Sequence, residues 1–466
     1  MAVRILQWNA CGLAGRRQEF QQFLLTHDID IACIQETFLK PDKDLSFPGY
    51  TSIRSDRTAP KGGLAIFVRT GIIHAGVRTP NSMECQAVQV KTSVGLITIV
   101  NIYIPPGTTQ PSFSDLFQWN NSIIVGDMNA KNRLWGSDKN DARGSALEDA
   151  ITTHNYVVLN TGQGTYQTYG GSMTHIDVSL TSTQLATRCR WMTWNNTMGS
   201  DHVPIIITIN ARPEKQLFSG PKWKFAKADW ITFRRFIDDK VETTEFNNDD
   251  VNQLNSKVTD VIIEAAKKSV PETKKPALSR RQKPLPYWND DIKTAIRNRN
   301  RARNKMNRTK NIDDCIEYRR LKSIAQRVIR STARQHWQSF CDKLTDTSRL
   351  SSVWSMARKM NGTKSNPSPA SLLDDGNTVT DNNEKAEIFA RTFATVSSSS
   401  NYSPKFAAYK ADVEQNHNHL FENDAPDTDM SKHLNKEFVA TELNRAIDQL
   451  RKNTAPGDDR IAYEFF

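Results

Sequence analysis

The apolar positions of the first 210 residues come in short runs of strand length, not in helical stripes. Residues 3–8, 29–34, 64–68, 96–104, 122–125, 176–180 and 203–209 are such runs, most of them rich in β-branched residues. Turn-forming stretches such as Ala59-Pro-Lys-Gly-Gly63 and Tyr169-Gly-Gly-Ser172 separate them. Two helices are predicted between them, at 16–26 and 145–154. Strands that outnumber helices in this way predict an α/β fold of packed sheets with flanking helices.

The pattern changes after residue 210. It breaks around 211–225, where a boundary is placed, and 211–270 reads as a helical connector, with the helical pattern over 226–270. Residues 271–286 are rich in Pro, Lys and Arg and read as a linker opening a basic helical region, 271–360. There Leu321, Ile324, Val328, Trp337, Phe340 and Leu344 recur at mostly helical spacing. Residues 361–383 and 396–404 are Asn-, Ser- and Pro-rich, so 361–435 is expected to be loop-rich and partly disordered. A last helix is predicted at 436–452, before Asn453-Thr-Ala-Pro-Gly457. Trp223, Trp230 and Trp288 read as core anchors.

Composition narrows the class. No apolar run in the 466 residues approaches the roughly 20 that a spanning helix needs. The first residues read as a strand, not as a signal peptide. Six cysteines without a Cys-x-x-Cys pair argue against a disulfide scaffold or zinc ribbon. The net charge of +11 is unevenly placed: residues 1–210 carry 17 basic and 16 acidic residues, whereas 274–343 alone carry 20 and 6. Such a cationic stretch suits a polyanion, of which nucleic acid is the usual one.

Several predicted strands border on a polar residue able to do chemistry. Residues 3–8 end at Asn9, 29–34 in Gln35-Glu36, and 96–102 in Tyr103. Residues 122–125 end in Gly126-Asp127-Met128-Asn129, Ile176 precedes Asp177, and Gly199-Ser200-Asp201-His202 precedes 203–209. One strand-end carboxylate is ordinarily solvated; six such places in one domain indicate a rim where separated side chains gather. Glu36 and Asn9 offer hard oxygens for Mg²⁺. A His202 paired with a carboxylate can stay protonated and donate to a phosphorane oxyanion. Asp127 can orient or deprotonate a water, Asn129 can hold it, and Tyr103 adds a hydroxyl. Together these fit metal-assisted hydrolysis of a phosphate ester.

In order and type, Asn9, Gln35-Glu36-Thr37, Tyr103, Gly126-Asp127-Met128-Asn129, Asp177 and Ser200-Asp201-His202 resemble the endonuclease/exonuclease/phosphatase superfamily. More closely, the chain resembles the endonuclease–reverse transcriptase of a jockey-like non-LTR retrotransposon. The likeness continues through Pro221-Lys-Trp-Lys-Phe225, Tyr287-Trp-Asn-Asp290, Asp374-Asp-Gly376 and Asn453-Thr-Ala-Pro-Gly-Asp-Asp-Arg-Ile461. It implies a four-layer α/β/β/α sandwich of two mixed sheets over 1–210, followed by the mostly helical basic region. It implies Glu36 as principal ligand of Mg²⁺ (or Mn²⁺), with Asn9 and Asp201 near the metal. Asp127 and Asn129 would handle the water, His202 would contact the scissile phosphate under the direction of Asp177, and Tyr103 would support the phosphate. Cys11 stands where apurinic endonucleases commonly have an acidic residue, which favours one metal.

The resemblance implies a Mg²⁺-dependent endonuclease that nicks target DNA, leaving a 3′-hydroxyl primer for reverse transcription in the nucleus. Residues 436–466 would open the reverse transcriptase. The chain is then expected to be a fragment whose polymerase carboxylates lie beyond Phe466, able to nick and not to synthesise. Element RNA is a second expected partner, through 274–343; a membrane is not. Phe236-Ile-Asp-Asp239 and Gly457-Asp-Asp459 imitate polymerase boxes, but neither is flanked by a strand hairpin, and His417-x-His419 sits in a polar stretch. The alternatives are a repair-type apurinic endonuclease or phosphatase of the same fold, and an inactive nucleic-acid-binding relic of a mobile element.

Overall fold

The computed structural model describes residues 2–43, 45–59, 61–80, 82–108, 112–215, 223–243, 250–272, 284–345, 353–354, 356–357, 372–374, 377–379, 381–417, 439–450, 454, 457 and 459–466. Most of the 271–286 linker, His419, Asp375-Gly376 and most of 451–458 lie outside them. The described chain forms two compact units: Met1–Gln216 with Arg281–Glu387, and Leu217–Arg280 with Ile388–Phe466.

The first unit opens with β1 (Val3–Asn9), α1 (Arg17–Thr26), β2 (Ile31–Gln35), β3 (Tyr50–Ser55) and β4 (Leu64–Arg69). There follow β5 (His74–Val77), β6 (Glu84–Thr92), β7 (Gly95–Tyr103), β8 (Ser122–Asp127) and α2 (Ala142–Thr153). Next come β9 (Tyr156–Val158), β10 (Tyr166–Gln167), β11 (Met173–Thr174), β12 (Asp177–Ser182), α3 (Thr183–Ala186), β13 (Cys189–Thr193) and β14 (Ile205–Ile209). One six-stranded sheet has the order β13-β14-β1-β2-β4-β3, the other β5-β6-β7-β8-β12-β9. Each has one parallel pair at its centre, β1/β2 and β7/β8, flanked by antiparallel neighbours.

The period of two explains the layers. Val3 and Ile5 of β1 face the second sheet, packing with Ile97, Ile99, Ile123 and Val125. Leu6 and Trp8 face outward, packing with Phe20, Phe23 and Leu24 of α1. On the far side, Val100, Ile102 and Ile124 pack with Leu147 and Ile151 of α2. Strands covered on both faces carry continuous apolar runs, hence the unbroken runs in the sequence. The result is the expected α/β/β/α sandwich.

Towards one rim the inward-facing row turns polar. It runs Val3, Ile5, Gln7, Asn9 in β1; Ile31, Cys33, Gln35 in β2; Ile97, Ile99, Asn101, Tyr103 in β7; and Ile123, Val125, Asp127 in β8. The parallel central pairs bring the ends of β1 and β2, and of β7 and β8, to this rim. Antiparallel pairing brings the start of β12, where Asp177 sits opposite Asp127, and the approach to β14. Gly126 makes the β7/β8 approach possible, since a Cβ there would stand 1.9 Å from the Ile102 carbonyl oxygen.

After β14 come α4 (Trp230–Thr243) and α5 (Val251–Ser269) of the second unit, then, past the linker, α6 (Asp290–Thr309) and α7 (Ile312–Cys341) of the first. In the second unit Phe233, Ile262, Ala265, Ala266 and Val270 enclose Ala462 and Phe465. Trp223 and Phe225 meet the Phe465 ring edge-on. Phe236-Ile-Asp-Asp239 lies within α4, not in a hairpin.

Two expectations differ from what is seen. In α7 the buried face runs through Cys315, Tyr318, Ala325, Ile329 and Ala333, while Leu321, Ile324 and Val328 are half-buried. Small residues let the helix approach closely, and a stripe drawn through large residues alone misses that face. Within 361–435, Leu372–Asp374 pairs with Asn377–Val379, and helices span Asn382–Val396 and Pro404–His417. Ile388 and Phe389, with Thr392 and Phe393, give the first helix an apolar stripe that the Ser-rich sequence after it obscures.

Candidate active site

Asp177, at the start of β12, accepts from the His202 ring: Nδ1 lies 2.9 Å from Oδ2 and 3.1 Å from Oδ1. The other ring nitrogen, Nε2, lies 3.8 Å from Asp127 Oδ2. That oxygen also accepts from Asn9 Nδ2 at 2.9 Å, and Asp127 Oδ1 accepts from the Asn129 backbone N–H at 3.2 Å. Asn9, Asp127, Asn129, Asp177 and His202 therefore form one connected group, with Asp127, Asp177 and His202 all buried. The last three offer ligand atoms that all lie within 4.8 Å of one another.

The electrostatics follow from this enclosure. Burial opposes charge on His202, but the Asp177 carboxylate, its hydrogen bond and the charges of Asp127 and Asp201 outweigh it and push the imidazole up. Burial raises Asp127; the His202 charge opposes this, Asp177 reinforces it, and hydrogen bonds from Asn9 and Asn129 oppose it. The net direction for Asp127 is upward, with burial the largest cause.

Glu36 lies beside this group at a left-handed φ of +47°. Tyr103 donates its hydroxyl to the Glu36 side chain; burial, that bond and the nearby carboxylates push the phenol far up, so it remains a donor. The expected phosphate-supporting Tyr103 thus also holds a carboxylate. Cys11 lies between Asp201 and Glu36 in electrostatic terms: burial raises its thiol, Asp201 and Glu36 raise it further, and Arg16 and Lys322 oppose. Carboxylate and amide oxygens dominate the polar groups gathered here, and such hard donors suit Mg²⁺ better than a soft metal. Among the described residues, Glu36 and Asp201 join no group of three His, Cys, Asp or Glu as close as Asp127, Asp177 and His202. Asn129 Nδ2 is spent on the Ile104 carbonyl at 3.0 Å.

The loops are tied from outside. Arg16 donates to the Cys11 and Gly12 carbonyls at 2.5 and 3.0 Å and to Gly199 O at 3.1 Å. Ser200 Oγ donates to Asn9 O at 2.8 Å and accepts from the His202 N–H at 3.2 Å. Cys11, Glu36, Asn129 and Met198 all have positive φ, as crowded functional rims often do.

One layer was missed by reading strand ends. Gln7 Nε2 donates to Asp177 Oδ1 at 2.9 Å and Gln35 Oε1 at 3.2 Å; Gln35 Nε2 donates to Asn101 Oδ1 at 2.6 Å. Asn101 reaches the Ile34 and Ala65 carbonyls at 3.1 and 3.2 Å. These amides stitch the sheets together directly beneath the site. Their signal was present: Gln7 and Asn101 each precede a singled-out residue by two positions and so share its face.

The chain is similar to known proteins. Residues 97–206 match the family described as endonuclease-reverse transcriptase. The chain is 26% identical over 419 residues to the RNA-directed DNA polymerase from mobile element jockey of Drosophila melanogaster, covering 86% of this chain and 45% of that protein. It is 27% identical over 482 residues to the probable RNA-directed DNA polymerase from transposon X-element of the same species, covering 99% and 50%. The chain thus spans about half the length of the curated relatives it matches. A solved endonuclease domain of TRAS1, a telomere-specific non-LTR retrotransposon, is 23% identical, covering 46% of this chain and 100% of that one at a TM-score of 0.40. The jockey-like resemblance read from the motifs is borne out by the family match and the relatives.

Proposed function

We propose that this chain is a divalent-metal-dependent DNA endonuclease of a jockey-like non-LTR retrotransposon, nicking target DNA to leave a 3′-hydroxyl primer. The observation that carries this is the buried line Asp177–His202–Asp127, with Asn9 holding the far carboxylate. Asp177 orients the imidazole and keeps it charged. His202 then donates from Nε2 to a phosphate oxygen as negative charge builds there. Asp127, with its raised proton affinity, accepts the proton of the attacking water, and Asn129 helps to position that water.

Glu36 would be the principal ligand of the metal, with Asn9 and Asp201 near it; these hard-oxygen donors fit Mg²⁺. When bound, the ion neutralises charge on the phosphate and leaving oxygens. Tyr103 keeps Glu36 in place. The match to an endonuclease-reverse transcriptase family supports DNA as the substrate, and action on chromosomal DNA would place the protein in the nucleus. Among the described residues no helix is long and apolar enough to cross a membrane.

Supercoiled plasmid with Mg²⁺ tests the reading. Relaxation to open circles is expected, abolished by a chelator and nearly abolished by His202→Ala or Asp127→Ala. Undiminished nicking by both variants would defeat the assignment. An abasic duplex cut far faster than an intact one would move the reading to a repair enzyme.

A further inference from the structure

The basic helices α6 and α7 do not hang free of the nuclease sheets. Arg299, only 1% exposed in the middle of the basic run, reaches Glu19 of α1 with two bonds, at 2.9 and 2.7 Å, and Asn196 Oδ1 at 2.6 Å. Arg303 Nη2 reaches Asn195 Oδ1 at 3.0 Å. Leu285, Tyr287, Ile292, Ile329 and Ala333 form a cluster that takes in Leu25 of α1. The hairpin therefore grips residues 195–196, a few positions before Asp201 and His202.

One face of α7 runs along the site's rim. The Arg319 guanidinium carbon lies 3.8 Å from the ring centroid of Tyr169, in the turn between β10 and β11. Gln326 Nε2 stands 3.7 Å from where a Cβ on Gly199 would be, and Arg330 Nη2 3.9 Å from that position on Gly15. Residues 319, 322, 326 and 330 share a helix face. Lys322 thus falls between Tyr169 and Gly199, where it interacts with Asp201 and Cys11. Among the described residues it forms no ion pair. Arg16, the neighbouring cation, is committed to three backbone carbonyls.

Resting on the endonuclease reading, we propose that α7 is a wall of the DNA groove, with Lys322, flanked by Arg319, taking a backbone phosphate beside the scissile position. A rim that gathers Glu36, Asp127, Asp177 and Asp201 repels a polyanion unless cations stand next to it. Lys322 is such a cation, on a helix that packs with α6 through Ile292, Ile329 and Ala333, while the buried Glu19–Arg299 pair fixes α6 to α1.

The test uses the full chain carrying Lys322→Gln, Lys322→Arg or Arg327→Gln, the last an exposed cation off this face. Anisotropy of a labelled duplex across a salt series is read alongside nicking kinetics and melting. Lys322→Gln should flatten the log K against log salt slope by about 0.9 and weaken binding roughly fivefold. KM should rise with kcat held within about twofold, melting unchanged, and Lys322→Arg should restore the slope. An unchanged slope, an equal effect of Arg327→Gln, or faster nicking by Lys322→Gln (a helix that covers the site) would overturn the proposal. A wild-type chain that binds with the Lys322-dependent slope yet nicks no duplex would support the phosphate site and remove only the endonuclease reading.

Discussion

Gln7 and Asp177 sit on opposite sheets, yet Gln7 Nε2 donates at 2.9 Å to the Asp177 oxygen that lies 3.1 Å from His202 Nδ1. The carboxylate that directs the imidazole is thus itself directed by a buried amide of the facing sheet. Gln7→Leu keeps bulk and removes the donor. Leaving buried acceptors unpaired costs about 1–3 kcal/mol. Lower melting together with slower nicking is expected; lower melting alone, with wild-type nicking, would show that Asp177 needs no such support.

Asp177→Asn keeps the shape but not the charge beside His202. With less to hold its proton and no carboxylate to fix its tautomer, the imidazole becomes a poorer donor. Nicking should fall by about 10²–10⁴, the usual worth of a placed general acid or base. Single-turnover rates at saturating duplex measure this, and a loss confined to KM would contradict the role given to His202.

His27 supplies a pH test remote from the site. It packs between the Phe23 and Trp194 rings, with centroids 4.2 and 4.3 Å away. Burial, then the Arg4 charge, lowers its pKa to about 4. The unfolded chain binds this proton from the ordinary value of 6.5 downward, the folded chain only near 4. Its contribution is therefore present above pH 6.5 and is lost progressively as pH falls towards 4. His27→Phe should flatten the decline of Tm across that window; an identical acid limb in the variant would refute it.

The parts of this molecule that the sequence discloses share a physical cause. A strand whose inward row changes from Val3 and Ile5 to Asn9, or from Ile123 and Val125 to Asp127, announces a rim, because apolar burial leaves few other places for the polar residue. Asp177 and His202 are legible for the same reason. Gln7, Gln35 and Asn101 are less so, since a mid-strand amide also suits a solvent-facing position. The docking of α6 and α7 is hidden because Arg299 and Arg303 look like their solvated neighbours. Only Glu19 and residues 195–196, far away in sequence, distinguish them. The strands β5, β9 and β13, of four, three and five residues, are too short for a period of two to stand out from loops.

Gly126 invites a steric test. An added methyl would stand 1.9 Å from the Ile102 carbonyl oxygen and 2.7 Å from its Cγ2, against backbone that cannot swing aside. Gly126→Ala should force β7 and β8 apart and cost at least about 1–3 kcal/mol, as overpacking commonly does. Because Tyr103 and Asp127 pair in that register, nicking should fall as well. A variant that melts like the wild type would mean that the two strands separate at little cost.

The Glu19–Arg299 pair tests whether the basic hairpin is a structural part of the nuclease unit. Both side chains are almost fully buried, so removing one leaves a charge in a place without water. Arg299→Ala should cost about 3–5 kcal/mol, the usual penalty for breaking a buried pair from one side. Replacing both, Glu19→Leu with Arg299→Leu, removes the orphaned charge and should recover part of that loss, though Asn196 Oδ1 would keep only the Met198 N–H of its two donors. The double-mutant cycle, read from melting curves, should therefore show strong coupling. Additive effects, or an Arg299→Ala chain as stable as the parent, would mean that α6 and α7 stand apart from the sheets and that Lys322 has no fixed place at the rim.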